Sequence, residues 1–251
     1  MAFIMGPDDR DELNGAELLQ PEIRQVGVIT IADGGFVSGF VTGANCDVLV
    51  SAGHAAFYAE DAPNGEHRAG SPRADGLSRF SPVPGQDELI SMTLAGSGFE
   101  TPANVGQDVH DWAIFRLARP AYQDCRQLNI AGNAMECPGK LLLPAFHYDR
   151  RDTRLIDRTC SIRDTLGDRI IVHDCDTKDG SSGAPLLCDD KGVVEVIGIN
   201  ISGVSERELV EPGEYGQDSR EYDYRNHKNF ALNLGGEFLD ALGGCSQRST
   251  S

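Results

Sequence analysis

The sequence predicts an all-β protein: two antiparallel barrels of about six strands each, packed together and finished by a short C-terminal helix. Strand-like apolar runs recur along the whole chain, each bounded by turn residues. Glycine and proline are plentiful, 29 and 12 in 251 residues, while an apolar content of 40% is enough to fill a core. Gly236-Glu237-Phe238-Leu239-Asp240-Ala241-Leu242 reads as a short terminal helix.

In chain order, residues 1–24 read as a polar lead-in, 25–120 as the first barrel and 121–245 as the second. Val26 to Ile31, Phe36 to Thr42 and Val48 to Ser51 are the first strands, broken at Asp33-Gly34-Gly35 and Gly43-Ala44-Asn45. Phe57 to Gln86 is rich in proline, glycine and charge and reads as surface loop. Leu89 to Leu94 and Trp112 to Leu117 complete the first half, and Pro120 to Gly139 is the connector. Further strands are predicted at Lys140 to His147, Leu155 to Ile162, Asp168 to His173, Ala184 to Cys188, Val193 to Ile201 and Phe230 to Asn233.

The formal charge is −17, from 22 basic and 39 acidic residues, which argues against nucleic acid or an anionic membrane as partner. There is no apolar run long enough for a membrane-spanning helix, and Met1-Ala2-Phe3-Ile4-Met5 is too short for a signal peptide. Acidic residues crowd Ser205 to Lys228, a stretch that reads as a solvated insertion, with cation binding as the alternative.

The chemistry concentrates at Asp176-Thr177-Lys178-Asp179-Gly180-Ser181-Ser182-Gly183-Ala184-Pro185. A Gly-x-Ser-Gly-x-Pro turn between strands exposes one hydroxyl, that of Ser182, and leaves the N–H groups of Gly180 and Ser182 free to converge on an oxyanion. A serine needs a base within hydrogen-bond reach. His54, in a Gly/Ala turn directly after a strand, suits that role; His173 is the rival, and His67, His147 and His227 sit in polar loops and read as solvated. The base needs a carboxylate to orient it, and Asp111, leading a buried-looking strand, fits better than Asp108.

These segments, in the order His, Asp, Ser, resemble the active-site segments of chymotrypsin-like serine proteases. The resemblance covers roughly Val26 to Leu242 and implies His54 as base, Asp111 as orienting carboxylate and Ser182 as nucleophile. It implies a protein or peptide substrate, and a mechanism that needs neither cofactor nor metal. Ser181 stands where trypsins carry an aspartate that pairs with a freed N-terminus, so activation through that ion pair is not expected. The likeness is instead to bacterial trypsin-like and glutamyl endopeptidase-like members, and Gly6-Pro7-Asp8-Asp9-Arg10 is similar to the lead-in of the latter. A partly disordered acidic terminus is the plainer reading of that stretch.

By the same resemblance, Asp176 falls where trypsins place the pocket carboxylate, which implies cleavage after Arg or Lys, and Ser202-Gly203 resembles the pocket wall. Thr177 and Lys178 support glutamyl specificity instead, although Asn200 replaces the histidine of those enzymes. Asp176 as a structural carboxylate held by backbone amides is the third possibility. Seven cysteines without metal-type spacing point to disulfides and to a secreted or periplasmic location. Cys160 and Cys175 flank a predicted hairpin and are paired on that ground. Cys188 lies where related proteases hold a disulfide, with Cys137 as its partner; Cys125 is assigned to Cys245, leaving Cys46 over. Two other function classes stay open: a silent protease homologue used for binding, and a metal-binding β protein built on His173-Asp174-Cys175-Asp176.

Overall fold

The computed structural model describes residues 3–31, 35–58, 71–73, 79–82, 89–99, 108–132, 135–205 and 227–247. His67 and the acidic residues at 206–226 lie outside them.

The first half is a closed six-stranded antiparallel barrel. Its strands are β2 (Val26–Thr30), β3 (Phe36–Thr42), β4 (Val48–Ser51), β5 (Arg79–Ser81), β6 (Ile90–Ser97) and β7 (Ala113–Leu117). They follow the spatial order β2-β3-β4-β7-β6-β5, and β5 closes on β2 through Val28 opposite Ser81. The closing strand falls inside the stretch read as surface loop. With only three residues, Arg79-Phe80-Ser81, it is too short to show a period, although Phe80 is fully buried.

The second half is an eight-stranded antiparallel sheet that recruits the lead-in as its edge. β1 (Asp11–Glu12) pairs with β9 (Arg150–Asp157), and β8 (Lys140–His147) lies on the other side of β9. The order continues through β12 (Pro185–Asp190), β13 (Val193–Ser205), β14 (His227–Asn233), β11 (Ile170–His173) and β10 (Ile162–Leu166). β9 begins earlier than the sequence suggests because its first residues, Arg150-Arg151-Asp152, are exposed and carry no apolar signal.

Among the described residues, two short α-helices complete the fold, α1 (Pro21–Arg24) and α2 (Glu237–Gln247). Phe238 of α2 is fully buried and meets Trp112 of the first half edge-on, with ring centroids 5.6 Å apart. One apolar cluster runs between the halves, joining Val26, Phe40 and Val50 to Leu187, Ile199 and Leu232. Each half also has its own core, around Phe80 and Leu49 in the first and around Leu143 and Leu186 in the second. Burial of side chains of this size contributes roughly 1.5–3 kcal/mol each, so the shared cluster makes the two halves one body rather than two beads.

Disulfides join Cys160 to Cys175 and Cys137 to Cys188, as expected. The third differs: Cys125 pairs with Cys46, not with Cys245, which is free and buried on α2. The turn between β3 and β4 brings Cys46 under the connector, where Ala121 N–H donates to the Cys46 carbonyl at 2.9 Å. That short-range register cannot be read from spacing when the partners are 79 residues apart.

Candidate active site

Ser182 sits in the turn between β11 and β12, and β3 of the other half holds that turn in place. Ser38 N–H donates to the Ser182 carbonyl at 2.8 Å, and Ser38 Oγ donates to the Gly180 carbonyl at 2.9 Å. Gly183 has φ +85°, and a Cβ there would lie 2.1 Å from both the Ser38 carbonyl and Ser51 Oγ. Only glycine permits both the backbone angle and the approach. Ser38, with Thr42 one of two buried polar residues in β3, was not singled out in the sequence; its burial at zero exposure is the signal that marks it.

Behind the turn, Asn200 on β13 binds it from below. Gly183 N–H donates to the Asn200 carbonyl at 2.6 Å, and Asn200 N–H to the Ala184 carbonyl at 2.8 Å. The Asn200 side chain donates to Ser181 Oγ and accepts from His173 Nε2. Burial pushes the His173 imidazole down to about 4, against the support of Asn200, so it is neutral at ordinary pH. His173 is thus engaged in this buried set rather than placed as a base. With the turn fixed from both sides, neither Gly180 N–H nor Ser182 N–H finds an acceptor among the described residues. Two free donors on one turn are what an oxyanion requires.

His54 follows β4 in a tight helical turn at Gly53–Ala55. Asp111 grips it twice: Oδ1 accepts the His54 backbone N–H at 2.8 Å and Oδ2 faces Nδ1 at 2.8 Å. This fixes the ring and places the proton on Nδ1, leaving Nε2 as the basic nitrogen. Burial opposes the imidazolium, but the charge and hydrogen bond of Asp111 outweigh it and hold the His54 pKa above its usual value. Ser182 Oγ donates to the Ile201 carbonyl at 3.1 Å rather than to His54.

Two of the residues assigned to the pocket, Asp176 and Thr177, are engaged by the lead-in. Asp176, 2% exposed, accepts Met5 N–H through Oδ1 at 2.6 Å and Asp9 N–H through Oδ2 at 2.7 Å. Burial outweighs those two bonds and, with Asp157 and Asp8 adding repulsion, pushes the Asp176 pKa up to about 7. Thr177 Oγ1 accepts Phe3 N–H at 3.0 Å, Thr177 N–H donates to the Phe3 carbonyl at 2.9 Å, and Asn229 holds the same Phe3 peptide from the other side. Arg10 is buried and paired with Asp8 at 2.8 Å and Asp149 at 2.7 Å, so this end of the chain is a fitted strap and not a loose terminus. Ser202 and Gly203 lie on β13 opposite Phe230 and Asn229.

His147 is buried at the end of β8 rather than solvated: its Nδ1 accepts Lys178 N–H at 3.2 Å, and burial pushes its pKa down to about 3. The residues of His173-Asp174-Cys175-Asp176 are engaged within the protein. Cys175 is in a disulfide, His173 binds Asn200, Asp174 binds Ser161 and Arg163, and Asp176 binds the strap.

Several solved proteases share this architecture at low sequence identity. A Glu endopeptidase in complex with MPD superposes with a TM-score of 0.68 at 15% identity, over 97% of this chain and 99% of that one. The fold is that of the chymotrypsin-like serine proteases. The protease Anisep from Arthrobacter nicotinovorans matches with a TM-score of 0.63 at 14% identity, over 91% and 98% of the two chains. A thermostable serine protease, AL20, from an extremophilic microorganism gives 0.60 at 16% identity, over 92% and 100%. No protein-family description and no curated protein matches the chain by sequence.

Proposed function

We propose that this chymotrypsin-like chain is a serine endopeptidase acting on protein or peptide substrates through an acyl-enzyme. In this reading Ser182 attacks the scissile carbonyl and His54 Nε2 takes its proton. Asp111 stabilises the imidazolium, and the N–H groups of Gly180 and Ser182 hold the oxyanion. The observation that carries it is the double grip of Asp111 on His54, which leaves one ring nitrogen basic. For the attack, the Ser182 hydroxyl must exchange the Ile201 carbonyl for His54 Nε2 as its acceptor. Three disulfides fit a secreted or periplasmic setting.

Cleavage after Arg or Lys depends on a free Asp176 carboxylate, and both its oxygens are taken by strap amides. A glutamyl-type preference is the second reading. It is favoured by the raised pKa of Asp176, which weakens its repulsion of a substrate carboxylate near neutral pH, and by the likeness to a Glu endopeptidase. Profiling with a peptide library separates the two: cleavage after Glu supports the second, and benzamidine-sensitive cleavage after Arg or Lys restores Asp176 as the pocket charge.

A fluorophosphonate probe tests the core reading. It is expected to label the wild type at Ser182, to leave Ser182→Ala unlabelled and to react far more slowly with His54→Ala. Labelling that persists in Ser182→Ala moves the nucleophile elsewhere, with Ser181 the first suspect. An unlabelled wild type favours a silent homologue that binds without cutting.

A further inference from the structure

Two aromatic rings stand against the proposed oxyanion turn, and the proposed chemistry leaves them unused. A Cβ built on Gly180 would lie 2.6 Å from a Phe36 ring carbon and 3.1 Å from a Tyr148 ring carbon. The rings are stacked, with centroids 4.3 Å apart and planes 7° from parallel. Tyr148 is pinned at both ends: its hydroxyl accepts Phe36 N–H at 2.7 Å, and its own N–H donates to the Asp179 carbonyl at 2.7 Å. Phe36 and Tyr148 are both only partly buried, so the stack keeps some open surface.

Arg151 completes this shelf. Its guanidinium carbon lies 4.6 Å from the centre of the Tyr148 ring and 5.9 Å from that of Phe36, and its Nε donates to the Tyr148 carbonyl at 3.4 Å. Those contacts occupy the guanidinium face and Nε. Among the described residues the two Nη groups have no acceptor, and Arg151 is exposed. Asp149, two residues earlier, is taken by Arg10 at 2.7 Å. Successive residues of β9 face opposite ways, and the charge of Arg150 acts on Asp8 instead, helping to hold that carboxyl low.

The position of the shelf relative to Ser182 gives it a role. β13 meets the serine turn on one side, through the Ile201 carbonyl, and it carries Ser202 and Gly203, the residues assigned to the pocket wall. β3 meets the turn on the other side, through Ser38 N–H, and Phe36 opens that strand. In the proposed reaction the acyl half of the substrate takes the pocket side, so the leaving half crosses toward β3 and the stack. An extended chain advances about 3.3 Å per residue, which brings the second or third residue after the scissile bond within reach of the guanidinium.

We propose that Arg151, seated on the Phe36–Tyr148 stack, selects a carboxylate at the second or third residue of the leaving half of the substrate. The inference rests on the endopeptidase reading above. A guanidinium offers paired, planar N–H groups that match a carboxylate, and one already laid on an aromatic face gives up little freedom in binding it. The carboxylate comes either from an Asp or Glu side chain or from the end of a substrate chain.

The experiment uses two parent peptides, one with Glu and one with Arg before the intended scissile bond, amidated at the C-terminus. Each is made with Gln at both the second and third leaving positions, and with Glu replacing one of them. In the wild type the ratio of kcat/KM for Glu over Gln peptides is expected to be roughly fivefold at low salt, falling to about one in Arg151→Gln. Arg150→Gln, an equal charge change on the other face of β9, should keep the wild-type ratio. A ratio is not imitated by a variant that merely slows turnover, and unchanged melting temperatures check folding. Fluorescein-labelled versions are also titrated into Ser182→Ala protein and followed by anisotropy; Glu peptides should bind more tightly than Gln peptides, and only with Arg151 present. This arm decides the proposal even where no peptide is cut, a result that strikes the endopeptidase reading alone. A Gln peptide ending at the second leaving residue with a free carboxylate identifies the source: a preference for it over its amide assigns the carboxylate to a chain end, and a preference confined to Glu assigns it to a side chain. The proposal is overturned by equal rates and equal binding for all peptides, by a Glu preference that persists in Arg151→Gln, or by an equal loss in Arg150→Gln, which would make the effect one of general surface charge.

Discussion

Asn200 Nδ2 donates to Ser181 Oγ across 3.1 Å, and both side chains are buried beside the proposed nucleophile. By the sequence resemblance, Ser181 stands where trypsins carry an aspartate. Here its hydroxyl is held by a neighbouring strand rather than by a newly made N-terminus. The Asn200 main chain binds the same turn at Gly183 and Ala184, so the free N–H groups of Gly180 and Ser182 rest on a fixed support. Asn200→Ala should leave Ser181 and His173 unmatched and cost about 1–3 kcal/mol of stability. It should lower kcat more than it raises KM, because a loosened oxyanion turn acts on the transition state. Steady-state kinetics with a chemical denaturation curve check both parts.

In the proposed mechanism, His54 supplies the pH dependence. Its pKa is raised, because the pull of Asp111 exceeds the opposing effect of burial. A base works only when neutral, so activity should climb with rising pH through a midpoint above about 6.5. Asp111→Asn removes the charge while keeping the shape. It should move that midpoint down and lower kcat by roughly 10⁴. A kcat/KM profile for the two proteins measures both effects.

Asp176 should leave its own mark on stability. Its pKa rises from the ordinary 3.8 to about 7 on folding, so the folded protein holds an extra proton between those values. Its contribution is therefore fully present below about 4 and falls as pH rises to about 7, then levels off. The difference in melting temperature between wild type and Asp176→Asn, followed across that window, isolates this slope. The asparagine also offers only one acceptor oxygen, so either Met5 or Asp9 loses its partner and the strap should become more open to proteases.

The cysteine pattern is open to a direct chemical count. Alkylation of the unfolded, unreduced protein should modify Cys245 alone, because the other six are in disulfides. Cys137→Ser with Cys188→Ser opens a connection spanning 51 residues and should cost about 2–4 kcal/mol. Peptide mapping that finds Cys125 bonded to Cys245 would contradict the structure.

The sequence by itself determined the all-β architecture, the strands around Val26 to Ser51 and Lys140 to His147, and the choice of His54, Asp111 and Ser182 as candidates. Each rests on local information: apolar alternation, turn residues, or a histidine, aspartate or serine placed beside a strand end. Two of the three cysteine pairs were also legible, one flanking a hairpin and one by resemblance. Only the tertiary structure decided what Asp176 touches, because its partners Met5 and Asp9 are 171 and 167 residues away in the chain. The same holds for the link between Ser38 and Gly180, 142 residues apart, and for Cys46 beneath Cys125. A buried carboxylate takes whichever donors the folded chain brings to it. Spacing to the nearest motif says where a side chain begins, and packing says which group it finds.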